Sequence, residues 1–89
     1  MSWPASTEYD NQSYKDDNGV SYTVHCGQSN NGKVIGTSSG TANLKQCMDA
    51  CDKMSGCNAA LFQTGANNCF FIGTVDTTVA NSTYNVGLL

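Results

Sequence analysis

The sequence predicts an α+β fold in which a single helix is stapled to a β-sheet by disulfide bonds. Cys47 and Cys51 lie four positions apart in a helix-like segment. Cys57 follows a glycine that would stop this helix, and Cys69 begins an apolar, strand-like stretch. Alternating segments before and after the helix supply the strands. With 89 residues the chain is expected to form one domain, residues 1–89. The core of such a small domain provides only about 3–5 kcal/mol of stability, so staples are expected.

The chain before the helix combines polar segments with one clear strand. Residues 1–13 are polar, and an Asp-Asp-Asn-Gly turn signal follows shortly after them. Residues 20–26 then alternate strictly between apolar and polar side chains, which predicts a strand. Residues 27–40 are dominated by Gly, Asn and Ser, so they are predicted to form a long loop that holds at most one brief strand at residues 33–35.

The helix is predicted to start next to Asn43. The side chain of Asn43 can cap the first turn, and Gln46 three residues later completes a capping-box pattern, although Thr41 is a competing cap. Five apolar side chains then follow the helical period and form one face: Leu44, Cys47, Met48, Cys51 and Met54. Gly56 is predicted to end the helix, because a left-handed residue is usual at that position.

Three further strands are predicted after the helix. They span residues 57–63, 69–72 and 84–88, and a polar turn at residues 64–68 joins the first two. Four large side chains are expected in the core: Tyr22, Leu61, Phe62 and Phe70.

Composition indicates a secreted protein, extracellular or associated with a cell wall. The chain has five cysteines, only 39% hydrophobic residues and many Asn, Ser, Thr and Gly. Asn11 and Asn81 each begin a sequon and are predicted glycosylation sites. The first residues lack the basic and apolar regions of a signal peptide, so the chain is interpreted as a mature or excised form with an added start methionine.

Charge excludes several classes of partner. The Lys and Arg positions are all lysine, four in number, and the net charge is −3. Nucleic acids, anionic membranes and heparin-like polysaccharides draw their affinity from basic side chains, so we expect none of them as partners. No segment of the sequence reaches membrane-spanning length, and we expect no membrane insertion.

Helical geometry constrains the disulfides. Cys47 and Cys51 project in parallel from one helix face, so they suit two separate partners better than each other. A bond from Cys51 to Cys57 would close the helix end onto the next strand, and a bond from Cys47 to Cys69 would pin the preceding turn onto the following strand. On the loop-entropy model each closure stabilises by about 2–3.5 kcal/mol. Position in the pattern makes Cys26 the odd cysteine, outside both bonds.

The order of these residues resembles the PAN/apple domain family, in particular small forms in secreted proteins of filamentous fungi. The resemblance covers roughly residues 14–88, and the motifs that carry it are Tyr22-Thr23-Val24-His25-Cys26-Gly27, the spaced Cys47, Cys51 and Cys57, and Cys69-Phe70-Phe71. It implies an antiparallel sheet wrapped around one central helix, the nested cysteine pairing given above, and a role in binding proteins or carbohydrates. Members commonly add a disulfide near the termini. Cys26 resembles one half of it, whereas Trp3-Pro4 stands where a Cys-Pro pair would be expected.

Catalysis is not expected from the available side chains. His25 is the only histidine, and its neighbour Cys26 invites a Cys-His nucleophile. Adjacent strand residues point to opposite faces, however, so the imidazole cannot readily reach the sulfur. The carboxylate pairs Asp16–Asp17 and Asp49–Asp52 are expected to be solvated charges of a turn and a helix surface.

Metal sites and cofactors are not expected either. Only the first pair of the four clustered cysteines has the spacing of a structural zinc site, so disulfides are favoured over zinc. A calcium ion could be gathered by Asp10, Asp16, Asp17 and Asn18, but their spacing matches no EF-hand, and a plain turn is favoured.

The predicted binding residues combine aromatic rings with amide and acidic groups, as sugar recognition requires. They are Trp3, Tyr9, Tyr14, Asp16 and Asp17 in the N-terminal part, and Asn67 and Asn68 in the turn between two strands. The alternative for each ring is that it simply covers the sheet or the helix.

These observations favour a non-catalytic extracellular binding module that recognises carbohydrate or a protein surface. The alternative is a structural, self-assembling extracellular protein, whose copies would join through Cys26 or through strand edges. Low charge density, 12% of residues, motivates that alternative because charged side chains normally protect strand edges. A small secreted enzyme, or a domain appended to an enzyme, is the third hypothesis.

Overall fold

A computed structural model of the chain describes residues 12–16, 18–41 and 43–89. Within these ranges the elements are β1 (Ser13–Lys15), β2 (Ser21–Asn30), β3 (Lys33–Ser39), α1 (Leu44–Asp52), β4 (Ala59–Gln63), β5 (Asn68–Thr74) and β6 (Thr78–Leu88). An antiparallel sheet, one helix and two disulfides confirm the predicted α+β class for this part of the chain.

The six strands form one sheet in the order β1-β2-β6-β4-β5-β3. Every neighbouring pair is antiparallel. The last strand in the chain, β6, lies in the interior between β2 and β4, while β1 and β3 form the two edges. The helix contacts β4, β5 and β6, so it covers one face of these interior strands. The other face of the sheet is not covered by the helix.

The sheet buries a different set of side chains on each face. The face that meets α1 carries the helix-side cluster, whose buried members are Tyr22, Val24, Leu44, Cys47, Met48, Cys51, Cys57, Ala60, Phe62, Cys69 and Phe71. The opposite face carries the outer-face cluster, in which Ala59, Leu61, Ile72 and Val86 are buried and Phe70, Tyr84 and Leu88 are partly buried. Side chains alternate between the clusters along β4 and β5, as pleated geometry requires.

Three of the four predicted core residues are confirmed, since Tyr22, Leu61 and Phe62 are at most 5% exposed. The prediction for Phe70 is wrong in degree, because Phe70 is only partly buried. Its neighbours Cys69 and Phe71 point toward the helix. Phe70 therefore points to the outer face, which α1 does not cover.

The start of the helix is confirmed and its end lies earlier than predicted. Oδ1 of Asn43 accepts a hydrogen bond from the backbone N–H of Gln46 at 3.0 Å. The helix ends at Asp52, with Lys53 as the C-cap residue. The chain then turns back so that Cys57 can reach the helix, and Gly56 adopts a positive φ of 85° within this turn. Gly56 thus allows the tight turn after the helix, and it does not belong to the last helical turn.

Two disulfides fasten α1, and their pairing is the one predicted. Cys47–Cys69 joins the helix to β5 across 22 residues of sequence, and Cys51–Cys57 closes a separation of 6 residues beyond the helix end. Cys26 lies in β2 outside both bonds and is partly buried against the helix-side cluster. The helix is therefore held covalently at two successive turns.

The predicted long loop at residues 27–40 is wrong. β2 continues to Asn30, and most of the remaining segment forms the edge strand β3. Gly27 has a φ of 65° at a register shift between β2 and β6, and its N–H donates to Oδ1 of Asn85 at 2.9 Å. This bulge lets a Gly- and Ser-rich strand stay paired. Strand pairing also extends β6 back to Thr78 and adds β1, because ladder formation overrides weak local propensity.

Candidate functional site

The predicted site residues fall partly outside the described part of the chain. Those outside it are Trp3, Tyr9, Asn11 and Asp17. The remaining binding candidates, Tyr14, Asp16, Asn67 and Asn68, are described, and the structure places them in two regions.

Tyr14 and Asp16 lie at the edge formed by β1 and the turn into β2. Tyr14 pairs with Tyr22 across the two strands and is partly buried against the helix-side cluster. Asp16 is only 5% exposed, so the expectation that it is a solvated charge is wrong. Its Oδ1 accepts hydrogen bonds from the backbone N–H groups of Asn18 (3.0 Å) and Val20 (2.9 Å). Through these two hydrogen bonds the buried carboxylate of Asp16 organises the turn.

Two carboxylates from the C-terminal half of the helix lie beside Asp16. Asp16, Asp49 and Asp52 each place a carboxylate oxygen within 4.8 Å of the others. The buried Tyr22 hydroxyl has two acceptors for its single proton, Oδ1 of Asp52 and the carbonyl oxygen of Met48, the latter at 3.0 Å. Burial, together with the charges of Asp16 and Asp49, raises the pKa of Tyr22 well above its usual range. The phenol therefore remains a hydrogen-bond donor at neutral pH.

The Asn67-Asn68 turn connects β4 to β5. Asn67 is exposed and has a positive φ of 53°, and its carbonyl oxygen accepts a hydrogen bond from the N–H of Thr41 at 3.0 Å. Asn68 begins β5 opposite Gln63, and its Nδ2 donates to Oε1 of Gln63 at 3.4 Å. The turn is therefore fixed by one hydrogen bond to Thr41 before the helix and by another to Gln63 in β4.

The described candidates form two separate surfaces instead of one. Thr23 lies opposite Leu88, and Leu88 lies opposite Ala59 at the start of β4. Tyr14 pairs with the residue before Thr23, so it lies close to the level of the start of β4, with β2 and β6 between the two strands. Asn68 pairs with the last residue of β4. Along β4 alone these two levels differ by about 13 Å.

An aromatic pair lies on the outer face of the sheet, next to Asn68. The ring centroids of Phe70 and Tyr84 are 6.4 Å apart, and the ring planes are inclined by 55°. Gln63 pairs with Asn68 on one side and with Tyr84 on the other, so these side chains share a face. We name Gln63, Asn68, Phe70 and Tyr84 the aromatic-amide patch. Each of its members is half-buried, and none carries a charge at neutral pH.

A bulged segment of β6 precedes Tyr84. The carbonyl oxygen of Thr83 accepts hydrogen bonds from the backbone N–H of Thr64 (2.8 Å) and from its hydroxyl (3.1 Å). Oδ1 of Asn81 accepts hydrogen bonds from the N–H (3.1 Å) and the hydroxyl (2.7 Å) of Thr83. Asn81, one of the predicted glycosylation residues, is therefore exposed on an ordered segment beside the patch.

Sequence reasoning missed three of the four patch residues, although a signal for one of them was present. A disulfide from Cys69 to the helix directs that side chain to the helix side. Strand alternation then directs Phe70 to the opposite face. Gln63 and Tyr84 had no such signal, because their position beside Phe70 depends on the strand order.

The structure separates the two side chains of the suggested Cys-His pair. Cys26 contacts the helix-side cluster. His25 pairs with Val86, a member of the outer-face cluster, so it lies on the other face of β2. The sequence-based argument against a Cys-His nucleophile is thus confirmed in its geometry.

The arrangement of the patch suits binding at an open surface. The described residues enclose no pocket. Aromatic rings can stack on an apolar ligand face, and side-chain amides can both donate and accept hydrogen bonds. Such a surface can hold a segment of a neutral chain or part of a protein without enclosing it.

Comparison with known families identifies the fold. A family model described as the PAN domain matches residues 19–87, which include nearly all of β2 to β6 and the whole of α1. A search of curated proteins found no match. Among the described residues, none of the helical segments is long and apolar enough to cross a membrane.

Proposed function

This chain belongs to the PAN domain family, and from that membership we propose that it is a non-catalytic binding module of a secreted protein. PAN domains are protein- or carbohydrate-binding modules of extracellular proteins. We further propose that this one binds a neutral carbohydrate through the aromatic-amide patch. The observation that carries the proposal is the Phe70–Tyr84 pair flanked by the amides of Gln63 and Asn68.

The chemistry of the patch matches a neutral sugar. The C–H faces of a pyranose ring are apolar and stack on aromatic rings, while its hydroxyls need partners that donate and accept hydrogen bonds. Phe70 and Tyr84 provide rings, and the Gln63 and Asn68 amides provide the polar groups. The four side chains belong to β4, β5 and β6 in the interior of the sheet, so they are held in place before a ligand arrives.

Charge supports a neutral ligand over an acidic one. The patch contains no basic side chain, and the chain carries a net charge of −3. An acidic polysaccharide would meet net repulsion and no local counter-charge. Neutral glycans do not meet this penalty.

A glycan array followed by titration of the best ligand tests the proposal. The Tyr84→Ala variant is expected to weaken binding about tenfold, because it removes a ring that stacks on the ligand. Asn68→Ala is expected to weaken binding several-fold through the loss of one side-chain amide. Tyr14→Ala serves as the control, because Tyr14 belongs to the other candidate surface.

The same variants separate the two candidate surfaces. Normal affinity in Tyr14→Ala together with weakened affinity in Tyr84→Ala places the ligand on the aromatic-amide patch. The reverse result would move the site to the surface around Tyr14 and Asp16. Melting temperatures of all three variants must be recorded, since a loss of binding in an unfolded variant carries no information about the site.

Secretion and glycosylation form a separate, testable part of the proposal. Asn81 is exposed and belongs to a sequon, and two disulfides suit an oxidising compartment. Expression through a eukaryotic secretory pathway should give a protein whose mass falls after enzymatic removal of N-glycans. Asn81→Gln should remove the glycan at this position. A secreted protein that carries no N-glycan would contradict the glycosylation proposal.

Self-association is the second candidate function, and the edge strand β3 favours it. Val34 and Ile35 in this strand are 46% and 42% exposed, and exposed apolar residues on an edge strand can pair with a second chain. Val34→Lys should abolish any concentration-dependent dimer seen by sedimentation velocity. Val75→Lys is the matched control, because Val75 is also 42% exposed but lies between β5 and β6, outside the strands. A monomer at all concentrations would exclude this candidate.

A further inference from the structure

One oxygen of the buried Asp16 carboxylate has no explanation within the fold. Asp16 is 5% exposed. Its Oδ1 accepts two backbone hydrogen bonds, from Asn18 and Val20. Its Oδ2 is buried and receives no hydrogen bond from any described residue. Buried polar atoms normally have partners, and a buried carboxylate oxygen without one is destabilising.

The surroundings of this carboxylate are negative. The carboxylates of Asp49 and Asp52 each lie within 4.8 Å of that of Asp16. Both belong to the C-terminal half of α1, where the helix dipole already disfavours negative charge, and the last turn contains no basic residue. The fold therefore brings three acidic groups together at the C-terminal end of a helix, where a bound cation would reduce their mutual repulsion.

The neighbouring groups offset this charge only in part. Nζ of Lys45 contacts Oδ2 of Asp49 at 3.1 Å. Nδ2 of Asn18 lies 3.5 Å from Oδ2 of Asp52, and the Tyr22 hydroxyl donates to the other oxygen of Asp52. None of these groups supplies a partner to Oδ2 of Asp16. The missing hydrogen-bond partner therefore concerns one atom, Oδ2 of Asp16.

We propose that Asp16, Asp49 and Asp52 form a calcium site between the β1–β2 turn and the end of α1. Calcium binds oxygen ligands at about 2.3–2.6 Å, so two ligands of one ion lie at most about 4.6–5.2 Å apart. The carboxylate separations of this cluster, within 4.8 Å, allow one ion to contact all three groups. Carboxylate oxygens form the donor set that calcium prefers, and waters would complete the coordination.

The site depends on tertiary contacts, which is why the sequence did not indicate it. In the sequence the calcium candidates were Asp10, Asp16, Asp17 and Asn18, whose spacing matches no calcium loop. The structure brings Asp49 and Asp52 from the helix to Asp16. The proposal is independent of the carbohydrate proposal, because the site lies beside Tyr22 and not on the aromatic-amide patch.

Calcium binding can be measured on the full chain by calorimetric titration and thermal unfolding. We expect a dissociation constant of about 0.1–1 mM, the range of extracellular calcium modules. Calcium at about ten times that value should raise the melting temperature by about 5–10 °C. Magnesium at the same concentration should raise it much less, because magnesium gives up its waters reluctantly.

The Asp16→Asn variant gives the sharpest test. Its amide oxygen can still accept the hydrogen bonds from Asn18 and Val20, and its NH2 group replaces Oδ2 and can donate to Asp49 or Asp52. Without calcium this variant is expected to melt at or above the wild-type temperature. With calcium the wild type is expected to overtake it, because the variant loses the response.

Two further variants complete the design. Asp49→Asn removes another ligand and should also lower calcium affinity at least tenfold. Asp76→Asn is the matched control, because it removes the same charge from an exposed residue beyond β5 and should keep the full response. Absence of any calcium response up to about 10 mM would overturn the proposal. An unchanged response in Asp16→Asn, or an equal response to magnesium, would also overturn it.

Discussion

The side chain of Met48 lies directly against the backbone of Gly87. A Cβ atom placed on Gly87 would lie 2.6 Å from Sδ and 3.0 Å from Cγ of Met48. Met48 is fully buried, so it has no exposed space into which it could move. The absence of a side chain at position 87 is therefore what allows α1 to approach β6 this closely.

Replacement of Gly87 is expected to destabilise the domain by forcing the helix away from the sheet. Gly87→Ala should lower the free energy of unfolding by about 1–3 kcal/mol, the usual effect of overfilling a core. Urea denaturation measures this change. Gly65→Ala is the matched control, because a Cβ at Gly65 meets no atom within 4 Å. Equal stability of the two variants would contradict the proposed close approach.

The two disulfides should differ in their contribution to stability. Cys47–Cys69 closes 22 residues and Cys51–Cys57 closes only 6. On the loop-entropy model the longer closure contributes about 3.5 kcal/mol and the shorter one about 2 kcal/mol. Double replacement by alanine, one pair at a time, followed by urea denaturation, measures both values. A larger loss from the shorter closure would show that local strain or contacts outweigh loop entropy.

Loss of the helix cap at Asn43 should weaken α1. Oδ1 of Asn43 satisfies the N–H of Gln46 at 3.0 Å. Asn43→Ala is expected to reduce stability by about 1 kcal/mol, whereas Asn43→Ser keeps a capping oxygen and should be close to the wild type. Thermal unfolding distinguishes the two. If the serine variant is as unstable as the alanine variant, the effect of Asn43 does not come from capping.

The buried amide of Asn30 should be among the most sensitive polar groups. Its Nδ2 donates to the carbonyl oxygen of Asp76 (2.8 Å) and to the hydroxyl of Thr78 (3.3 Å). Its Oδ1 accepts from the N–H groups of Gly32 (2.8 Å) and Asp76 (3.0 Å). Asn30→Ala leaves these backbone groups without their partner.

That replacement should lower the free energy of unfolding by about 2–3 kcal/mol, because several desolvated groups lose hydrogen bonds together. Asn31→Ala is the control, since the neighbouring side chain is exposed. Hydrogen exchange should show faster exchange at Gly32 and Asp76 in the Asn30 variant only. Unchanged exchange at both positions would mean that the amide does not hold the two connections together.

The sequence was most informative where covalent or periodic constraints act locally. The spacing of Cys47, Cys51, Cys57 and Cys69 predicted the disulfides, and the capping pattern at Asn43 predicted the helix start. The loop predicted at residues 27–40 was wrong because Gly, Asn and Ser carry little intrinsic strand preference, which hides strands formed by pairing. Their strands form because β5 and β6 provide partners.

The candidate site could be predicted only in part for a related reason. Asn68 was identified because it belongs to a polar turn sequence. Its neighbours Gln63 and Tyr84 lie in two other strands, and nothing in the local sequence links them to it. Asp16 was recognised as a candidate, but its burial was not predicted. This burial follows from the contact between the β1–β2 turn and the helix end. Contacts between elements that are far apart in sequence leave no local pattern.

The position of β6 determines the order in which the domain can form during synthesis. All four bonded cysteines precede β6, so both disulfides can close while β6 is still being made. The sheet cannot be completed at that stage, because β6 separates β2 from β4. A nascent chain would therefore hold the stapled helix with β3, β4 and β5 beside an unmatched β1–β2 pair. Insertion of β6 between these two halves would then complete the native sheet.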